Sequence, residues 1–184
     1  DDKTSKWVRF WRETRAKDYT KAKPPKIKQR PFVYADFESD TSGDKHRPFM
    51  VSYMTTIDGK TRDKRTIFGA DCAIKFLDRV PDMSVVYAHN SGYDLNFIYE
   101  HCRSVNLIKN GAFVYLYTCK YKGKKLTFRD SYAMIPSRLA GFPDMFNMES
   151  IKKEIMPYSL YNVEDYNVPC HISEVEQHIN KGDW

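Results

Sequence analysis

The run Phe32-Val33-Tyr34-Ala35-Asp36-Phe37-Glu38-Ser39 constrains this chain more than any other stretch. Val, Tyr and Phe favour extended backbone, and side chains along a strand alternate between its two faces. A strand over Phe32–Phe37 therefore sends Asp36 and the following Glu38 to one side and Phe37 to the other. Neighbouring carboxylates repel unless a cation neutralises them, and oxygen ligands of this kind suit magnesium or manganese. The same pattern also arises on a solvated strand face with no ligand at all.

A second constellation lies at Val85-Val86-Tyr87-Ala88-His89-Asn90-Ser91-Gly92-Tyr93-Asp94. Val85 to Ala88 reads as a short buried strand, Asn90-Ser91-Gly92 breaks it, and residues 93–102 show helical spacing. Asp94 then falls in the first turn of a helix just after a strand, a usual place for a site residue in layered α/β folds. It is equally a residue that favours a helix N-terminus by charge and capping.

Together these segments resemble the first two exonuclease motifs of family B DNA polymerases, within the DEDD class of 3′–5′ exonucleases. Asp36 and Glu38 match the D-x-E motif; Asn90, Tyr93 and Asp94 match N-x-x-(F/Y)-D. The surroundings, including the His89-Asn90 pair, are similar to the protein-primed subgroup of phages, linear plasmids, viruses and Maverick/Polinton-type transposons. A third block, Lys125 to Tyr132, is similar to a strand-end D-S segment of the same proteins, with Tyr132 where Leu is usual. The resemblance spans roughly residues 31 to 160.

That resemblance implies a proofreading 3′–5′ exonuclease portion of a DNA-directed DNA polymerase. It implies removal of 3′-terminal nucleotides from DNA with two Mg2+ (or Mn2+) ions. Two ions roughly 3.5–4 Å apart activate water and stabilise the departing oxygen without a basic side chain. By resemblance Asp36 bridges both ions, Glu38 helps hold the water-activating one and Asp94 supports the other. Asn90 and Tyr93 would position the last nucleotides, since aromatic stacking tolerates any base. Ser39 and His89 match contacts to single-stranded DNA, and Asp130 and Ser131 match contacts to DNA or the priming protein. The implied partners are the 3′ end of single-stranded DNA, the rest of the polymerase chain and a terminal priming protein, in an intracellular setting without a membrane. Two other readings stay open. One is a catalytically silent module binding single-stranded DNA or the priming protein; the other is a stand-alone DEDD nuclease acting on RNA.

DEDD enzymes need a fourth acid, set in Y-x-x-x-D on a helix. Tyr161 and Asp165 have that spacing, but the flanking apolar stripe is poor and Pro169 follows closely. The preferred expectation is an internal piece of a larger protein, incomplete at its C-terminal side and ending before the third motif. A chain of 184 residues is ample for one core.

Charge is uneven along the chain. Residues 1–30 hold eleven Lys and Arg against four acids, a surplus of seven that exceeds the whole chain's +6 and leaves the remainder at −1. Trp7, Phe10 and Trp11 have helical spacing, and Lys23-Pro24-Pro25-Lys26 reads as an extended linker. This leader suits a phosphate-contacting arm or a solubilising linker equally. By the resemblance, residues 31–184 are expected to form the exonuclease domain.

The expected architecture is α/β: a ribonuclease H-like mixed sheet flanked by helices, with an extra β-hairpin. Further strands are expected over Phe49–Thr56 and Arg65–Phe68, joined through Asp58-Gly59, with a helix over residues 71–79. A second hairpin pairs Ala112–Tyr121 with Lys124–Arg129 around Lys122-Gly123. Cys72, Cys102, Cys119 and Cys170 are scattered, without the spacing of a zinc site or disulfide framework. Cys170-His171 with His178, and the isolated His46 and His101, suggest no metal set. No phosphate-binding glycine loop, nucleophile elbow, signal peptide, transmembrane run or internal repeat is present.

Overall fold

Strand β1 (Phe32–Asp40) extends three residues beyond its expected end. It pairs antiparallel with β2 (Arg47–Ile57), which pairs antiparallel with β3 (Lys60–Phe68). Between β2 and β3, Asp58 (φ 56°) and Gly59 (φ 71°) both adopt left-handed backbone, the combination whose twist matches paired strands. β3 starts five residues earlier than expected because it is a largely exposed strand with no apolar alternation to announce it.

The computed structural model describes residues 29–148, together with residues 160, 163, 164, 168, 169 and 173. The leader through residue 28, Tyr161, Asp165, Cys170, His171 and His178 lie outside the described residues.

Helix α1 (Cys72–Arg79) forms where expected and buries Cys72, Ala73, Phe76 and Leu77. Its C-terminal carbonyls need donors. Lys124 supplies them from a distant strand, donating to the carbonyls of Leu77 (3.0 Å), Asp78 (2.7 Å) and Val80 (2.9 Å). α1 is the crossover that lets β4 (Val85–Ala88) run parallel to β1.

After β4 the expected helix over residues 93–102 is replaced by two 3₁₀ turns, Asp94–Phe97 and Tyr99–His101. Ile98 between them has φ −108°, and Cys102 is already extended to enter β5. With three residues per turn, Leu95 and Ile98 share one side and both are buried. Strand β5 (Arg103–Asn110) is an addition to the expected set. β6 (Phe113–Tyr121) and β7 (Lys124–Asp130) form the second hairpin around Lys122 (φ 45°) and Gly123 (φ 83°). Short helices α2 (Ser131–Met134) and α3 (Phe142–Met145) follow.

The sheet order is β3-β2-β1-β4-β7-β6-β5. An antiparallel trio leads into parallel β1, β4 and β7, and the β5–β6 hairpin extends the sheet beyond β7. This is the mixed α/β, ribonuclease H-like arrangement with an added hairpin. One cluster containing Val33, Phe37, Val51, Phe76, Val86 and Phe128 forms the core. Each such side chain contributes roughly 1.5–3 kcal/mol by leaving water. Among the described residues, no helix is long and apolar enough to cross a membrane.

Candidate active site

The parallel strands bring three acids to one end of the sheet. Tyr34 of β1 stands opposite Tyr87 of β4, and Ala88 of β4 stands opposite Asp130 of β7. Asp36 thus lies just past the end of β4, where its chain turns away. Open α/β sheets present their ligands at such carboxyl ends.

The turn after β4 is built from specific contacts. Asn90 has φ 59°, a left-handed conformation that Asn tolerates better than most residues. Its backbone NH donates to Asp130 Oδ1 at 2.8 Å, and the Tyr132 NH donates to the same oxygen at 2.9 Å. Asp130 is 1% exposed, and its Oδ2 has no hydrogen-bond partner among the described residues. The resemblance placed Asp130 beside Ser131 as a DNA or priming-protein contact. The structure buries Asp130 and makes it a tie between the Asn90 turn and α2. Gly92 is required by packing: a Cβ there would lie 2.3 Å from the carbonyl oxygen of Ala112, in the β5–β6 turn.

Asp94 follows. The residue is 7% exposed, and its carboxylate accepts a hydrogen bond from the Phe37 backbone NH at 3.2 Å. Phe37 is the residue between Asp36 and Glu38. Burial first, and the charge of Asp36 second, push Asp94 up to about 7, against the opposing pull of the Phe37 amide. Asp36 itself is exposed and lines an open groove of about 1110 Å³ with Tyr34, Tyr87, His89, Ser131 and Phe142. Asp94 lies behind it, lining a small internal space with Ala35, Phe37 and Ser91. Glu38 is half-buried where the β1–β2 register shifts between residues 38 and 39. Such an irregularity re-aims side chains at a strand's end. Among the described residues, no three Asp, Glu, His or Cys side chains converge as a metal-binding group. The structure brings Asp36 and Asp94 together, with Glu38 further along β1.

The neighbouring polar residues also find partners. The Tyr93 hydroxyl is hydrogen-bonded to Ser39 Oγ and lies 2.8 Å from His46 Nδ1. The Tyr93 ring packs edge-on against Phe97, with centroids 5.4 Å apart. His89 Nδ1 lies 3.0 Å from Ser131 Oγ, and the His89 ring packs edge-on against Tyr132 and Phe142. His46 escaped the sequence reading because no spacing rule links it to a residue 47 positions away. Glu164, next to the undescribed Asp165, pairs with Arg47 at 2.8 Å, and Arg47 also holds Asp40 at 3.1 Å.

Residues 78–182 match the family model described as DNA polymerase type B, organellar and viral. The chain belongs to this family. In fold, this type B polymerase chain is similar to phi29 DNA polymerase in its complex with primer-template DNA and incoming nucleotides. The TM-score is 0.59 at 18% identity, over 82% of this chain and 28% of that one. It is also similar to the orthorhombic crystal form of phi29 DNA polymerase (TM-score 0.58, 18% identity, 82% and 28% covered). The complex of phi29 DNA polymerase with single-stranded DNA gives 0.54 at 17% identity, over 69% and 25%. The chain thus spans little more than a quarter of the length of these polymerases. No curated protein matches it by sequence. Type B polymerase membership points to divalent-metal use, and the site fits it. Its donors are hard carboxylate oxygens, and Asp94 is held beside a like charge that a cation would offset.

Proposed function

We propose that this chain is the 3′–5′ exonuclease portion of a protein-primed type B DNA polymerase, comprising a basic leader over 1–30 and the exonuclease domain over 31–184. The observation that carries the reading is the joining of Asp36 and Asp94 at the carboxyl ends of parallel strands. A strand address and a turn address, 58 positions apart in sequence, meet there around one backbone amide. Mg2+ or Mn2+, two ions held by Asp36, Glu38 and Asp94, would supply water activation and charge neutralisation for phosphodiester hydrolysis.

The chain's own residues do the positioning. The groove beside Asp36 is open and partly aromatic, suited to a single strand whose bases stack without regard to sequence. Tyr93, fixed by Ser39, lines a separate space with His46 and Phe97 and offers a ring for the terminal nucleotide, and the exposed Asn90 offers its amide. His89 and Ser131, bonded to each other, stand on the groove wall to receive the backbone. The phi29 polymerase structures with primer-template and single-stranded DNA support DNA as the substrate class. Tyr161 and Asp165 remain the candidate source of the fourth acid. The remainder of the polymerase chain and a terminal priming protein complete the proposed assembly.

A second reading is a silent module binding single-stranded DNA or the priming protein. Degradation of a 5′-labelled single-stranded oligonucleotide in Mg2+ tests the first. Stepwise 3′ shortening, abolished in Asp36→Ala/Glu38→Ala, supports the exonuclease. Retained binding without shortening fits either a silent module or a missing fourth acid, and the same assay on the full-length polymerase separates those two.

A further inference from the structure

We infer that His46 is a positioning residue for Tyr93, fixing the ring against which the terminal nucleotide packs. The inference rests on the exonuclease reading above. The Tyr93 hydroxyl meets two side chains, Ser39 Oγ from the end of β1 and His46 Nδ1 at 2.8 Å from the β1–β2 loop. The His46 ring also lies against the Tyr93 ring, with centroids 5.4 Å apart and planes at 57°. Phe97 closes another side at 5.4 Å, edge-on. A phenylalanine at position 93 would be held by packing alone. The tyrosine hydroxyl adds a polar anchor, and His46 supplies one half of it.

The loop that delivers His46 is itself anchored. Asp40, 6% exposed, accepts from Ser42 NH at 2.9 Å and Ser42 Oγ at 2.6 Å through Oδ1. Its Oδ2 accepts from Arg47 Nη2 at 3.1 Å. These bonds, those to Ser42 first, hold the Asp40 carboxyl down to about 2. Both ends of the loop over residues 41–46 are therefore pinned to the strands they join. His46 itself is exposed and contributes nothing to the buried core, so its contact with Tyr93 is its evident structural consequence. The network works in either proton arrangement. A Tyr93 hydroxyl that donates to His46 accepts from Ser39, and one that accepts from His46 donates to Ser39. The role is preorganisation: a ring already held in place loses less freedom when a nucleotide packs on it.

The test is a double-mutant cycle of His46→Ala and Tyr93→Phe, with His46→Asn as the conservative variant. Readouts are KM and kcat for 3′ shortening of a 5′-fluorescein single-stranded oligonucleotide in Mg2+, and its Kd by anisotropy without metal. His46→Ala is expected to raise KM and Kd about fivefold, a change of about 1 kcal/mol, with kcat within about twofold. His46→Asn should restore most of the affinity, because its amide can meet the hydroxyl. In the Tyr93→Phe background, His46→Ala should change nothing further. Additive losses, or unchanged KM and Kd, overturn the inference while leaving the exonuclease reading standing. Binding without shortening, by this chain and by the full-length polymerase alike, overturns the exonuclease reading, and the Kd cycle alone then decides the role of His46. A wild-type chain that neither binds nor shortens the oligonucleotide overturns both.

Discussion

Asp94 Oδ1 accepts a hydrogen bond from the Phe37 amide across 3.2 Å, joining the turn after β4 to the residue that separates Asp36 from Glu38. The bond holds a buried carboxylate beside a strand that already carries two acids. In an isolated chain this is an unfavourable placement, since burial and a like charge both oppose ionisation. A divalent cation held by these carboxylates would offset both costs.

A pH dependence with a definite sign follows for the metal-free protein. The Asp94 value of about 7 in the folded chain lies above its ordinary 3.8. Folding therefore takes up a proton between those values, and stability from this group is full below about pH 4 and lost as pH rises through about 7. Asp94→Asn keeps an acceptor for the Phe37 amide but carries no charge. In EDTA at pH 8 it should stabilise the fold by on the order of 4 kcal/mol, with the gain shrinking towards zero at pH 4. Urea unfolding at both pH values measures this; an equal difference at both would show that the charge of Asp94 is not the cause.

Asp130 should matter through what it holds. Asp130→Ala leaves the Asn90 and Tyr132 amides without their shared acceptor, costing about 2 kcal/mol by urea unfolding. Asp130→Asn retains an acceptor oxygen and should stay within about 1 kcal/mol of wild type. Equal losses in both variants would mean that the carboxylate's charge, not its bonds, supports the turn.

The contact at Gly92 predicts a larger local response. A methyl group 2.3 Å from the Ala112 carbonyl forces the β5–β6 turn or the Asn90–Asp94 turn to move. Gly92→Ala should destabilise the fold by about 1–3 kcal/mol, the usual range for overpacking. Amide chemical-shift changes should concentrate at residues 90–94 and 111–114. Shifts spread evenly over the sheet would contradict a local clash.

How much of this was legible beforehand differs from element to element. β1, α1 and the β6–β7 hairpin announce themselves because each buries one face, and burial writes a period of two or 3.6 into the sequence. β5 writes no such pattern: all eight of its residues are exposed, Val105, Leu107 and Ile108 included. Residues 93–102 show helical spacing, yet only ten residues separate the Asn90-Ser91-Gly92 break from β5, and 3₁₀ turns fit that span. In the proposed site, Asp36, Glu38, Asp94, Asn90 and Tyr93 are the residues that motif spacing brings forward, because that spacing is local. His46 and the inward role of Asp130 depend on contacts 47 and 40 positions apart, which no local pattern encodes.

The most direct test of the account is whether Asp36 and Asp94 form one cation site. Titrating the chain with Mn2+ while following the free-ion signal by electron paramagnetic resonance measures this without any need for turnover. The account predicts Mn2+ binding by the wild-type chain at pH 7.5 that weakens at least about tenfold, about 1.4 kcal/mol, in both Asp36→Asn and Asp94→Asn. Binding of equal strength in the wild type and both variants would contradict it, because the two carboxylates would then not share an ion.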